Sequence, residues 1–488
     1  MSSPTQSIIQ AGLKSQLLLP RDPEYGALQA SYWSNTSKTI APAGILRPKS
    51  TADVLTALDA LVAAGQQFAI RSGGHTQYAG ANNIGGDGVT LDLGLLNWTR
   101  FDGSTETVDI GPGARWKDVY TALREHGRVV AGGRDGSVGV GGFLLGGGKF
   151  FFAAKRGFAC DDVVSYEVVL PGRGGNSGRI VTATADHHED LYQALKGGSN
   201  NFGIVTNFKI RAIASDRVWA GLNFFPKELT VEASRALISF TDNIHRHPDS
   251  HLLFFLTHIP AHRDTVIVAA YVQLGGIPKA PAYRHFLSLP PISDTTKMTT
   301  IAEVVSEYDI APPNYYNTFF TASLKNDPRI LAKAAELHEG LVAELKSFIA
   351  EGDFITQCLL QPLPVLYGQL SAEAGGNIMG VSSQPVNGIL FVGIAMVRTR
   401  EQEAFVYPKV KTWVEALKEF ASRVDPQHGV LDWVYLNYAD GSQEVLSGYG
   451  KDNLQKMRTV AHKYDPEQVF QRLCPGGFKV SHYQATEC

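Results

Sequence analysis

The sequence predicts an α+β protein built from two domains. Three observations lead there. The first part of the chain reads strand, helix, strand, and further strands follow up to about residue 210. Many of the 49 glycines fall in that same part, which suggests backbone packed closely against a ligand. After about residue 212 the glycines thin out and strands alternate with single long helices, the pattern of an antiparallel sheet with helices on one face. A chain of 488 residues is long enough for two or three domains.

Residues 1–40 read as a helical lead-in, and 42–48 as a short strand bounded by prolines. Ser50 is placed to cap a helix over 51–64, with Val54, Leu58, Leu61 and Val62 on one apolar face and Gly65 as its stop. Phe68, Ala69 and Ile70 end a buried strand, and a tight loop follows over 71–75. Residues 89–93 and 107–110 alternate as strands, and 116–125 is helical. This start forms a nucleotide-binding layer. The segment 138–148, VGVGGFLLGGG, is not a dinucleotide fingerprint, because Leu144 stands where the third glycine of G-x-G-x-x-G belongs. Nor is it a P-loop, since Gly148-Lys149 is followed by Phe150. Its glycines either let backbone lie against a large flat cofactor or let loops pack tightly. A strand over 165–170 and a helix over 190–195 lead to a strand ending at Ile210.

In the middle of the chain, strands are expected over 252–258, 265–274, 318–324, 354–360 and 389–398. Helices over 329–350 and 402–423 carry mixed charge on their outer faces. Past about 430 the chain returns to the first domain, with a helix over 454–464.

The formal charge of −3 argues against a nucleic-acid partner or a polybasic membrane surface. No signal peptide or membrane span is visible, so a cytoplasmic location is expected, with secretion left open. The four cysteines Cys160, Cys358, Cys474 and Cys488 are widely spaced and read as reduced. His245, His247, His251, His258 and His262 match no ligand spacing, so no metal is expected.

Two stretches carry chemistry. Gly73 and Gly74 put bare N–H groups on a concave surface that suits a pyrophosphate, although a plain turn has the same sequence. His75 ends that loop with a ring nitrogen able to act as a nucleophile. Tyr435-Leu436-Asn437-Tyr438, taken as a strand, points Tyr435 and Asn437 to one face, or else supplies ordinary strand aromatics.

In this order, FAIRSGGH at 68–75, GVGGFLLGGG at 139–148, NNFGIVT at 200–206, YLNYAD at 435–440 and DPEQVFQRLCPGGFK at 465–479 resemble the FAD-linked oxidases of the vanillyl-alcohol-oxidase superfamily. The berberine-bridge-enzyme-like branch of plants and fungi is the most similar. The resemblance implies a two-domain PCMH-type fold. Residues 1–211 and 431–488 would bind FAD, and 212–430 would form a substrate domain on an antiparallel sheet covered by helices.

The resemblance also implies roles. Arg71, Ser72, Gly73, Gly74, His75 and Thr76 would bind the cofactor, as would Val138, Gly139, Gly142, Gly146, Gly203, Ile204, Val205, Asn437 and Tyr438. His75 would hold FAD covalently, through Nδ1 to the 8α carbon of the ring, or would merely line the site. Relatives with a second link carry cysteine where this chain has Asp135, so one bond is expected, with Asp135 as loop polarity or as a group near the mouth. Val138 stands where a small β-branched residue accompanies O2 as acceptor. Tyr435 would be the catalytic base, its pKa brought well below the usual ~10. Asn437 would hold the flavin ring. Tyr78, Gln357 and Tyr435 would meet the substrate, with Gln361, Tyr316 and His258 as further candidates.

The implied activity is that of an oxidase. It passes a hydride from an alcohol- or amine-bearing carbon of a small molecule to flavin, and then to O2, giving H2O2. Oxidative cyclisation or desaturation in secondary metabolism is one alternative, and a non-redox cyclase on the same fold is another. A monomer or homodimer is expected.

Overall fold

The computed structural model describes residues 3–215, 217–262, 264–307 and 312–483, so Cys488 lies outside it. Among the described residues the strands form three sheets.

The first sheet runs in the order Leu17–Leu18, Gly44–Leu46, Val89–Asp92, Phe68–Arg71. The last three are mutually parallel, so the strand-helix-strand crossover expected at the start of the chain is present. Its helix, Thr51–Ala63, begins at Ser50, whose hydroxyl accepts from the Asp53 N–H at 3.1 Å. The helix buries Val54, Ala57, Leu58 and Leu61, while Val62 stays half-buried at the edge of that face. The far end of the chain closes the same core: the Phe68 N–H donates to Leu473 O at 2.7 Å, and Phe470 meets the Phe68 ring edge-on.

The second sheet is antiparallel and centres on Ile204–Ala214, flanked by Thr107–Ile110 and Val163–Leu170. This central strand runs past Ile210 because Ala212–Ala214 pair with Arg128–Val130.

The third sheet begins at Val218–Pro226 and is antiparallel throughout. From that strand it passes through Val266–Gln273, Ser250–His258, Phe354–Leu363, Gly388–Val397 and Tyr316–Lys325 to Val430–Leu431. The helices Thr230–Asn243, Pro328–Lys346 and Arg400–Val424 pack together over one of its faces. Asp327 caps the second of these with Pro328 at its first position, and a Thr399–Gln402 capping box starts the third. Alternation along the strands leaves Leu253, Phe255, Phe319, Gln357, Leu359 and Ile394 on the opposite face, which looks into a cavity.

The expected strand at 435–438 is not formed. Leu436–Tyr438 is a 3-10 turn, closed by the Tyr438 N–H on Tyr435 O at 3.0 Å. The aromatic neighbours Phe158, Trp433 and Tyr438 enclose the Tyr435 ring and hold the chain between the domains rather than on a sheet edge. Among the described residues no helix is long and apolar enough to cross a membrane.

Candidate active site

The cavity lies between the inner face of the third sheet and the glycine-rich segments. One wall is largely backbone, from Ser72–Thr76, Gly139, Gly141, Gly142 and Gly203–Val205. Gly73 and Gly139 meet back to back: a Cβ on Gly73 would stand 2.6 Å from Gly139 Cα. Gly74 takes φ +67°, and a Cβ on Gly142 would meet no protein atom within 4 Å, only the cavity. Ser72 ties the two segments together, donating to Pro112 O and accepting from the Gly141 N–H at 3.2 Å. Such a long, glycine-rich cradle fits FAD, and Ser72–Thr76, Val138, Gly139, Gly142 and Gly203–Val205 line it.

His75 stands where the cradle meets the opposite wall. Its ring stacks on Trp33, centroids 4.4 Å apart and 10° from parallel. Its Nε2 lies 2.9 Å from Ser137 Oγ. Ser137 gives its one hydroxyl proton to Asp135 Oδ1 at 2.6 Å, and that carboxylate oxygen also accepts the Ser137 N–H at 2.8 Å. The Ser137 oxygen therefore accepts from His75 Nε2–H, which leaves Nδ1 with its lone pair. Enclosure by protein holds the imidazole down to about 4, with Arg115 acting in the same direction and Asp135 opposing, so the ring is neutral at ordinary pH. Arg115 fixes the loop by donating to Gly73 O at 2.9 Å and to Ser137 O.

Tyr435 and Asn437 line the cavity together, although through a turn and not through strand alternation. The Tyr435 Oη accepts from the Lys149 N–H at 2.7 Å and from Asn437 Nδ2 at 3.0 Å, and Asn437 also donates to Phe143 O at 3.1 Å. Gly146 does not line the cavity. A Cβ there would overlap Asn437 Oδ1, so its part is to admit that side chain. A lowered pKa for Tyr435 is not what the fold provides: burial pushes the phenol well above its usual range, outweighing the two N–H donors.

Arg71 is not a cavity residue either. Its guanidinium lies under the Tyr32 ring, donates to Leu28 O and Ser31 Oγ, and sits 3.4 Å from buried Asp92, its register partner on the parallel strand. Its chemistry is spent on the fold. Tyr78 lines the cavity beside Phe478, and Gln357 lines it from the sheet. Tyr316 and His258 do not; His258 stacks on Phe354 at 4.7 Å. Gln361 stands behind the wall and accepts from Arg134 at 2.8 Å. Among the described residues no three His, Cys, Asp or Glu gather as a metal site.

Sequence reasoning passed over Trp33, Arg134, Ser137 and Lys149, all at or beside the cavity. Only Ser137 had a signal: it lies two residues after Asp135, at the spacing of a carboxylate that caps its own turn.

Residues 42–176 match the family model of an FAD binding domain. The FAD-dependent monooxygenase drtC of Aspergillus calidoustus is 37% identical over 485 residues, 99% of this chain and 91% of that protein. The solved structure of Physcomitrella patens BBE-like 1 superposes with a TM-score of 0.76 at 18% identity, covering 99% of this chain and all of that one. That of 6-hydroxy-D-nicotine oxidase from Arthrobacter nicotinovorans gives 0.75 at 21%, over 93% and 96% of the two chains. With the glycine cradle on one side and the helix-backed antiparallel sheet on the other, the chain belongs to the family of FAD-dependent oxidoreductases represented by drtC, and its fold is that of the PCMH-type, berberine-bridge-enzyme-like oxidases.

Proposed function

We propose that this protein carries FAD covalently on Nδ1 of His75 and oxidises an alcohol- or amine-bearing carbon of a small molecule, with O2 as the electron acceptor. Bound FAD would supply the hydride acceptor and, through its reoxidation by O2, release H2O2. The observation that carries the covalent assignment is the chain Asp135–Ser137–His75, which spends Nε2–H and leaves Nδ1 unprotonated. Burial supports it by keeping the ring neutral. Asp135, at the position of the second link in some relatives, works instead through Ser137.

In this reading the backbone cradle binds the cofactor, and the sheet wall and Tyr435 orient the substrate. Tyr435 keeps its proton and positions substrate as a hydrogen-bond donor, since its oxygen already accepts twice.

Acid denaturation of the purified protein tests the linkage: yellow colour should stay with the polypeptide and be lost from it in His75→Ala. Release of flavin from the wild type rejects the covalent bond. Relatives such as drtC are named monooxygenases. Turnover under labelled O2 separates the two outcomes: stoichiometric H2O2 with no label in the product supports the oxidase, and label in the product rejects it.

A further inference from the structure

His75 is held at one edge by Ser137 and on one face by a residue from near the start of the chain. That residue, Trp33, belongs to a segment tied to both walls of the cavity. Its N–H donates at 3.0 Å to the carbonyl of Gly74, the residue before His75 in the cradle loop. The residues after it hold the opposite side, at the lead-in to the third-sheet strand Tyr316–Lys325. Ser34 bridges to Tyr315, the Asn35 N–H donates to Tyr315 O at 2.8 Å, and Lys38 Nζ donates to Asn314 Oδ1 at 2.7 Å. The Trp33 indole is buried and packs against two rings. It lies on the His75 imidazole, 10° from parallel, and Phe319 from the third sheet meets it edge-on, centroids 5.8 Å apart and 87° from parallel.

The two supports on His75 act on different freedoms. Ser137 decides which ring nitrogen keeps the proton. One hydrogen bond at a ring edge does not set the ring plane, because the torsion that turns an imidazole about its stem is broad. A flat neighbour lying along the ring does set it: turning the imidazole out of this plane drives its edge into the indole. Phe319 backs the indole, and the bond to Gly74 O anchors it to the loop that carries His75.

We infer that Trp33 is a positioning residue for flavin attachment. It holds the imidazole plane in which Nδ1 meets the cofactor, and through Phe319 it makes that setting depend on the third sheet. The role needs a flat face rather than bulk alone, and bond formation between bound groups is a steep function of their alignment. The inference rests on the covalent reading of His75.

Full-length apoprotein made in a riboflavin-auxotrophic host is mixed with FAD over a range of concentrations. Attachment is followed by flavin fluorescence of the acid-denatured polypeptide, which separates the rate at saturating FAD from the half-saturating concentration. Trp33→Leu should lower the saturating rate about tenfold or more and leave the half-saturating concentration nearly unchanged. Trp33→Phe, which keeps a flat face, should recover most of that rate. Phe319→Leu should slow attachment by a smaller factor, and an unchanged rate there removes the link to the sheet. If Trp33→Leu does not fold, Trp33→Met, a flexible side chain with no flat face, takes its place. A wild-type rate without the indole, a Trp33→Phe protein as slow as Trp33→Leu, or a loss confined to FAD affinity or melting temperature overturns the inference. Wild-type protein that releases all its flavin in acid rejects the covalent reading itself, whereas covalent attachment that is indifferent to Trp33 rejects this inference alone.

Discussion

The two walls of the cavity are built from different materials. The cradle is backbone: glycines at 73, 74, 139 and 142 present amides and bare Cα atoms. The sheet wall is side chain: Phe255, Phe319, Gln357, Leu359 and Ile394, with Arg134 and Lys149 reaching to it through Gln361 and Pro362. A backbone wall accepts one shape and cannot be retuned by substitution without moving the chain. A side-chain wall changes its chemistry residue by residue while the sheet beneath stays fixed. Under the proposed function, the general step would belong to the first wall and the choice of substrate to the second.

Substitutions sharpen that contrast. The largest effect is expected from Gly73→Val, which sets side-chain carbon against Gly139 Cα; it should cost about 3 kcal/mol or more and yield little flavin-loaded protein, read by thermal melting and flavin content. Arg71→Met should cost about 2 kcal/mol by removing the nearer cation of buried Asp92, which keeps Arg47 at 3.7 Å and the Gly94 N–H at 3.0 Å, yet folded molecules should attach flavin as the wild type does. A loss of attachment per folded molecule would return Arg71 to the site.

Ser137→Ala frees the His75 tautomer. Apoprotein mixed with FAD should attach it on the order of tenfold more slowly, followed by flavin fluorescence of the denatured polypeptide, with no change in melting temperature beyond a degree or two. Stability should also depend on pH. Burial holds His338 down to about 3, below the usual 6.5, so the unfolded chain binds more protons in that window. Stability should fall as pH drops from about 6.5 towards 4. His338→Gln should flatten that fall across the window, measured by denaturant titration at several pH values.

The same division decides what the sequence reveals. The cradle is legible through the order of its motifs, since Gly73-Gly74 alone has the sequence of a plain turn, and Ser50 marks a helix start by local chemistry alone. The pairing of Arg71 with Asp92 is not legible, because it depends on the register of two parallel strands. Nor is the cluster of Arg134, Lys149 and Gln361, which comes together only when two domains meet. The strand Val218–Pro226 is hidden by Gly221, Asn223 and Pro226, residues that break the apolar alternation. The turn at 435–438 looks like a strand because its aromatics are set by packing and not by period.

Both ends of the chain build the cradle. Gln77 Nε2 donates to Ala439 O at 2.6 Å, Asn201 Nδ2 to Phe478 O at 2.9 Å, and Lys479 Nζ to Asn200 O at 3.1 Å. A ribosome therefore finishes the glycine segments roughly ten to fifty seconds before it delivers residues 435–479. Until then the nascent chain has half a binding site, with its apolar edges uncovered. A chain cut near residue 430 would lose Ala439, Phe478 and Lys479, and with them these three ties to the segments that flank the glycines.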